Sequence, residues 1–349
     1  CGTLFPYTTL FRSTDHSNPM KKKSNPDPGW KKILWIFVSG LAILSVSITA
    51  CQKEKDIQMY LKKMPQAELQ RGTLELTFTQ PVDHNKPTGD KFKQRVVINH
   101  VGYDRPVVVL LEGYDLHTRR RSELAELLDA NQIIIEHRYF AESRPEPVEW
   151  EYLTIWQAAT DHHKIIHALK GLYKGKWVTT GYSKGGQAVM FHRRFYPRDV
   201  DASVAYVAPL NLSLEDPRIH QYLDQLGSQK TRRKIRRFQK DLLARKDVFL
   251  PLFEAYAMEK DYHFSDGLER AFELVVLEYP FAFWQWAKAP ESNIPPAGAS
   301  PEEKLNHLVT VSPVGLFEDK KLERMRPFYY QILTQTGMYK FRVDRKSVV

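Results

Sequence analysis

Apolar and polar residues alternate with period two along Thr73-Leu74-Glu75-Leu76-Thr77-Phe78, the rhythm of a strand with one buried face. The turn-rich Asp83-His84-Asn85-Lys86-Pro87-Thr88-Gly89 follows, and residues 92–99 resume the strand pattern. Unbroken apolar runs come next. Val107-Val108-Val109-Leu110-Leu111 ends at Glu112-Gly113, and Ile133-Ile134-Ile135 ends at Glu136-His137-Arg138. Strands apolar on both faces are the habit of parallel sheets covered by helices. Between the two runs Ser122 is a helix N-cap, and residues 154–172 set Ile155, Ala158, Ala159, Ile165, Ile166 and Leu169 at helical spacing. A third strand, Lys176-Trp177-Val178-Thr179-Thr180, runs into Gly181, followed by a helix over 186–196 and a fourth strand over 202–208. This alternation predicts an α/β fold with a doubly wound, mostly parallel sheet. From 211 to 330 it stops, and a charged, aromatic-rich, helical stretch reads as a cap inserted over the carboxyl edge of the sheet, where open α/β folds place ligands.

The ends of the chain read differently. Lysines at 21–23 and 31–32 precede an apolar run over 33–48, the charged and apolar regions of an export signal. Ile48-Thr49-Ala50-Cys51 resembles a lipoprotein box, which predicts cleavage before Cys51 and attachment to a membrane through lipid on Cys51; an uncleaved membrane anchor is the other reading. Residues 1–19 look like a translated sequencing adapter, as does the tail Arg345-Lys346-Ser347-Val348-Val349, so the expected natural start is Met20 and the natural sequence breaks off near Val343. The expected organisation is therefore artefact over 1–19, signal over 20–50, tether over 51–72, core over 73–210, cap over 211–330 and a truncated return to the core over 331–349, with the C-terminal part of the sheet missing.

Composition changes this picture little. At 349 residues and 42% hydrophobic the chain can bury a full core, and nothing suggests a solenoid or fibre. Part of the formal charge of +10 sits in the leader and part in Lys230-Thr231-Arg232-Arg233-Lys234-Ile235-Arg236-Arg237. No aromatic residues interleave that cluster, so a solvated helix face is favoured over a nucleic-acid surface. With Cys1 and Cys51 as the two cysteines, both outside the folded part, no disulfide framework or cysteine metal site is available. No cofactor is expected.

The candidate chemistry is Gly181-Tyr182-Ser183-Lys184-Gly185, a G-x-S-x-G pattern directly after a buried strand and before a helix, as a nucleophile elbow requires. Ser183 is the expected nucleophile. The main-chain N–H of Lys184 and that of Tyr114, which follows Gly113, where the missing side chain lets backbone approach the substrate closely, are the expected donors to the oxyanion. In this fold the triad runs Ser, then Asp or Glu, then His, on loops after late strands. His192, His220, His263 and His307 follow Ser183, but none follows a predicted sheet strand, so the acid and histidine are expected beyond Val349 and the chain as given is expected to be inactive. His163 and His167 have the i, i+4 spacing of metal ligands but lack the Glu of H-E-x-x-H, which favours a solvated helix face and no metal site.

Several words now carry a resemblance. Glu136-His137-Arg138-Tyr139-Phe140-Ala141-Glu142-Ser143-Arg144-Pro145, Leu153-Thr154-Ile155-Trp156-Gln157-Ala158-Ala159, the elbow, and Ala205-Tyr206-Val207-Ala208-Pro209 resemble the PS-ten family of bacterial secreted serine peptidases. The resemblance spans about 73–339. Ala141 departs from it, standing where the family's Glu-His-Arg word usually continues with Gly. The resemblance implies an α/β-hydrolase fold with a helical cap and release of short peptides from free N-termini, often after proline. An exopeptidase must hold the substrate ammonium, for which a carboxylate is suited; Glu112 and Glu278 are candidates, each with a structural acceptor role as the alternative. Phe281 and Trp284, within Tyr279-Pro280-Phe281-Ala282-Phe283-Trp284-Gln285-Trp286, could wall a proline pocket or simply pack the cap. His137 and Arg138 could shape the site, or Arg138 could pair with a buried carboxylate. An esterase or lipase sharing the elbow, and a non-catalytic binding protein, remain the alternative functions.

Overall fold

A computed structural model describes residues 45–48, 73–214, 216–286 and 291–338. Strands Thr73–Pro81 (β2) and Lys91–Asn99 (β3) form an antiparallel hairpin whose alternate residues are buried, as their period-two sequence dictates. The turn between them is closed by Lys86 N–H donating to Asp83 O at 2.9 Å and by Asn85 N–H donating to the Asp83 carboxylate. Val107–Leu111 (β4) and Asn131–Ile135 (β5) are buried along their whole length, and Trp177–Tyr182 (β6) and Ala202–Tyr206 (β7) complete the parallel set. A short strand Ser45–Ile48 (β1) pairs parallel with β2, giving the order β1-β2-β3-β5-β4-β6-β7. Strand β4 is central, paired in parallel with β5 on one side and β6 on the other. A parallel sheet with an antiparallel hairpin at one flank, and a strand-turn-helix elbow at the carboxyl end of a strand beside the centre, is the α/β-hydrolase fold.

The helices lie where the apolar spacing puts them. Glu123–Leu127 (α1) is capped by Ser122, whose side chain accepts from Ala125 N–H, and Ile155–Lys170 (α2) is capped by Thr154. Lys184–Phe195 (α3) begins two residues before the predicted helix, because Ser183 itself is the N-cap. Helices α2 and α3 pack together on the sheet, where Ile165, Ile166, Leu169 and Val189 meet Val107, Val109, Ile133 and Trp177 in one core.

Beyond β7 the described chain is helical: Pro217–Gln225 (α4), Gln229–Ala244 (α5), Lys246–Glu259 (α6), Leu268–Gln285 (α7), Pro301–Val311 (α8) and Asp319–Gln331 (α9). A second core, built around Phe238, Phe249, Phe253, Phe272 and Tyr279, holds α5 to α8 together. The basic face of α5 is turned outward, with Thr231, Ile235, Phe238 and Leu242 inward; Lys234 pairs with Glu291 and Arg236 with Asp224. The chain then returns to where it left the sheet. Asn211 Nδ2 donates to Thr336 O and Gly337 O at 2.9 and 2.8 Å, and Met338 N–H donates to Leu214 O. Among the described residues no helix is long and apolar enough to cross a membrane. Cys51 lies outside the described residues.

Candidate active site

Ser183 sits on a sharp turn at the end of β6 with φ 54° and ψ −119°, left-handed backbone that a serine adopts only when its surroundings impose it. What imposes it is glycine packing. A Cβ on Gly181 would lie 2.5 Å from the Gly185 carbonyl, and one on Gly185 would lie 2.5 Å from Leu111 O. Both contacts are with backbone, which cannot rotate aside. Strand β4 therefore presses on the first turn of α3, and Ser183, whose own N–H donates to Tyr206 O, is left exposed above the sheet edge. Its first-turn helix position leaves Lys184 N–H without an intrahelical acceptor. Tyr182 stacks on Tyr206 with ring centroids 4.9 Å apart, an exposed aromatic surface directly before Ser183 that the sequence reading missed. The cross-strand register of β6 and β7 makes that pair, and only the sheet order reveals it.

The loop after β4 comes to the same place. A Cβ on Gly113 would fall 2.5 Å from Gly185 N, so the Gly113–Tyr114 peptide packs against the start of α3. The loop is held from behind: Glu112 N–H donates to Ile135 O, His137 N–H to Tyr114 O, and Leu116 N–H to the buried Glu136 carboxylate at 2.8 Å. From the helical side, Arg324 of α9 pairs with Asp115, and Phe328 packs on Tyr114 at 5.6 Å. Burial pushes the Tyr114 phenol up to about 12. Ser183, Lys184, Gly113, Tyr114 and Glu112 are thus brought together.

Glu112 is buried, and that burial, with Asp115 and Glu136 adding repulsion, raises its carboxyl to about 7. His117, largely exposed, is 3.9 Å away. Lys184 is buried too, its ammonium lowered to about 7 by desolvation, and Nζ donates to Gly113 O at 2.7 Å.

The other candidates are placed elsewhere. Arg138 has the second of its two readings: fully buried, it grips Asp161 through Nε and Nη2 at 2.6 and 2.9 Å and donates to Val82 O and Tyr152 O. It joins the hairpin turn to α2 as an internal strut. His137 is buried, with Nδ1 against Arg138 O, and burial beside Lys184 holds its ring well below the usual histidine range, so it is neutral. Phe281 and Trp284 line a cavity of about 380 Å³ whose walls come from α4, α5 and α7, and no residue of the elbow or its loop contributes to it. Glu278 is buried on α7 and does not line that cavity. Nor is a histidine recorded against the Ser183 hydroxyl among the described residues. His84 bonds Asp161, His163 and His192 bond Asp199, His263 pairs with Asp261, and His307 meets the Tyr279 hydroxyl.

The residues that the sequence reading missed are the supports, Glu136 and Asp161. Glu136 heads the Glu-His-Arg word after an apolar strand, and charge beside such a run is the available signal. Asp161 stands 23 residues from its partner, on a helix face that local pattern cannot connect to β5.

The chain is 37% identical over 269 residues to the prolyl tri/tetrapeptidyl aminopeptidase of Streptomyces mobaraensis, covering 76% of this chain and 56% of that relative. An α/β hydrolase from Novosphingobium aromaticivorans matches at 20% identity, covering 44% of this chain and 50% of its own, with a TM-score of 0.30. A post-proline cleaving enzyme from Rickettsia typhi matches at 14% identity over 40% of this chain and 21% of its own, with a TM-score of 0.29. The PS-10 peptidase S37 family matches residues 62–346, and the chain belongs to that family of serine peptidases.

Proposed function

We propose that the protein is an aminopeptidase that acylates Ser183 and releases short peptides, tripeptides ending in proline among them, from free N-termini. One observation carries the reading: an exposed serine on a strained turn after the interior strand β6, with the Gly113–Tyr114 peptide packed against the helix that follows. In this reading Ser183 Oγ attacks the scissile carbonyl, and the main-chain N–H groups of Lys184 and Tyr114 receive the charge that develops on its oxygen. The hydroxyl proton passes to a histidine base and from it to the leaving amine; water then releases the acyl group by the reverse sequence. The base and its carboxylate partner come from outside the described residues. Glu112 takes the substrate ammonium. Its burial, which outweighs the largely exposed His117 ring 3.9 Å away and raises the carboxyl, supports that role, since a carboxylate forced toward neutrality gains most from an incoming positive charge. The name of the Streptomyces mobaraensis relative supports both the peptide length and the preference for proline. Because the chain spans 56% of that relative, the activity proposed is that of the whole protein. The reading extends to location: export, cleavage before Cys51, which would remove β1 and leave β2 as the sheet edge, and anchorage to the membrane by lipid on that cysteine, to be checked by labelled palmitate uptake that Cys51→Ser abolishes.

The test of activity compares Ala-Ala-Pro aryl amides with free and acetylated N-termini, using full-length protein and its Ser183→Ala variant. Cleavage of the free peptide, with kcat/KM for the acetylated one lower by on the order of 100-fold, is expected. Equal cleavage of both would defeat the aminopeptidase reading.

A further inference from the structure

The Lys184 side chain does something that its place in the G-x-S-x-G word does not require. It turns away from solvent and ends in a 2.7 Å hydrogen bond from Nζ to Gly113 O, between the rings of Phe140 and Tyr114 at 5.3 and 5.6 Å. Burying an ammonium that has no carboxylate partner among the described residues is costly, and a Met, one atom shorter, would fill most of the same space without that cost. The bond therefore needs a reason beyond stability.

Peptide geometry supplies it. Gly113 C=O and Tyr114 N–H belong to one planar unit, and the only cis peptide recorded among the described residues is Glu146–Pro147. In a trans peptide the C=O and N–H point in opposite directions. Holding Gly113 O against Lys184 Nζ therefore aims Tyr114 N–H away from that side chain. The next peptide is fixed as well, because Tyr114 O accepts from His137 N–H at 3.1 Å. Glycine at 113, which allows the close approach to α3, would otherwise leave this peptide free to rotate.

We propose that Lys184 is a positioning residue for the oxyanion site: its main-chain N–H is one donor, and its side chain sets the orientation of the peptide that carries the other. One residue thereby fixes both donors. The inference rests on the assignment of Ser183 as nucleophile and deepens it.

The test uses full-length protein with Lys184→Met and Lys184→Arg, assayed on a free Ala-Ala-Pro amide, with Ser183→Ala alongside. Loss of aim in one oxyanion donor predicts a fall in kcat on the order of 10- to 100-fold for Lys184→Met, with KM within about twofold. Affinity for a boronic-acid transition-state analogue should fall by the same factor, affinity for a non-hydrolysable ground-state peptide should hold, and Lys184→Arg, which can still donate to Gly113 O, should recover part of kcat. A melting temperature no lower than wild type shows that Lys184→Met folds. Wild-type kcat and analogue affinity in folded Lys184→Met would overturn the proposal, as would a loss confined to KM. Failure of the underlying reading is distinct: Ser183→Ala would then retain activity.

Discussion

Glu112 ionises against the cost of its own burial, and that cost has a measurable sign. A carboxyl raised from an ordinary 4.5 to about 7 gives stability that is complete below 4.5 and lost as pH climbs through 7. At pH 8 the native state should thus be penalised on the order of 3 kcal/mol. Glu112→Gln, neutral throughout, is expected to be more stable than wild type at pH 8 and to lose that advantage at pH 5, as denaturant melts at the two pH values would show. The same variant should raise KM for peptides with a free N-terminus. Ala141 takes φ 41°. Its left-handed backbone explains why glycine suits the position, and Ala141→Gly is expected to change stability by no more than about 1 kcal/mol, in the favourable direction. Ser183 was legible in the sequence because G-x-S-x-G is a contact requirement written in residue types. The fate of the Lys184 side chain was not, because the motif leaves that position open and its partner lies 71 residues earlier.

At the scale of elements, the elbow is a three-way contact among β4, β6 and α3, and its glycines are the points of contact. Gly185→Ala would drive a methyl to 2.5 Å from Leu111 O. The expected result is destabilisation of at least about 1–3 kcal/mol, read as a lower melting temperature, together with loss of activity because Ser183 can no longer hold its turn. Behind the elbow, Arg138 and Asp161 tie β5 and the hairpin turn to α2. Asp161→Asn would leave a buried guanidinium without its counter-charge, at a cost of about 3–5 kcal/mol in equilibrium unfolding. Strands β4 and β5 and helices α2 and α3 were readable because unbroken apolar runs and 3.6-residue spacing are local signals. Their lateral order was not, since β4 lying between β5 and β6 is decided by packing across the sheet.

Across the whole molecule, the helical layer leaves the sheet after β7 and comes back beside it, tied by Asn211 to Thr336 and Gly337. Asn211→Ala should loosen that junction, seen as faster amide exchange over 332–338 with the sheet unaffected. The aromatic run on α7 was visible in the sequence, but its orientation was not. An amphipathic helix rich in aromatics gives the same pattern whether it faces a substrate or its neighbours, and Phe281 and Trp284 face a cavity bounded by helices alone. The account stands on the Ser183 hydroxyl being the group that is acylated. The most direct measurement treats the full-length protein with a fluorophosphonate and locates the adduct by peptide mass spectrometry. The adduct is predicted on Ser183, in proportion to lost peptidase activity, and absent from Ser183→Ala. An adduct on another residue, or a Ser183→Ala protein that still hydrolyses peptides, would contradict it.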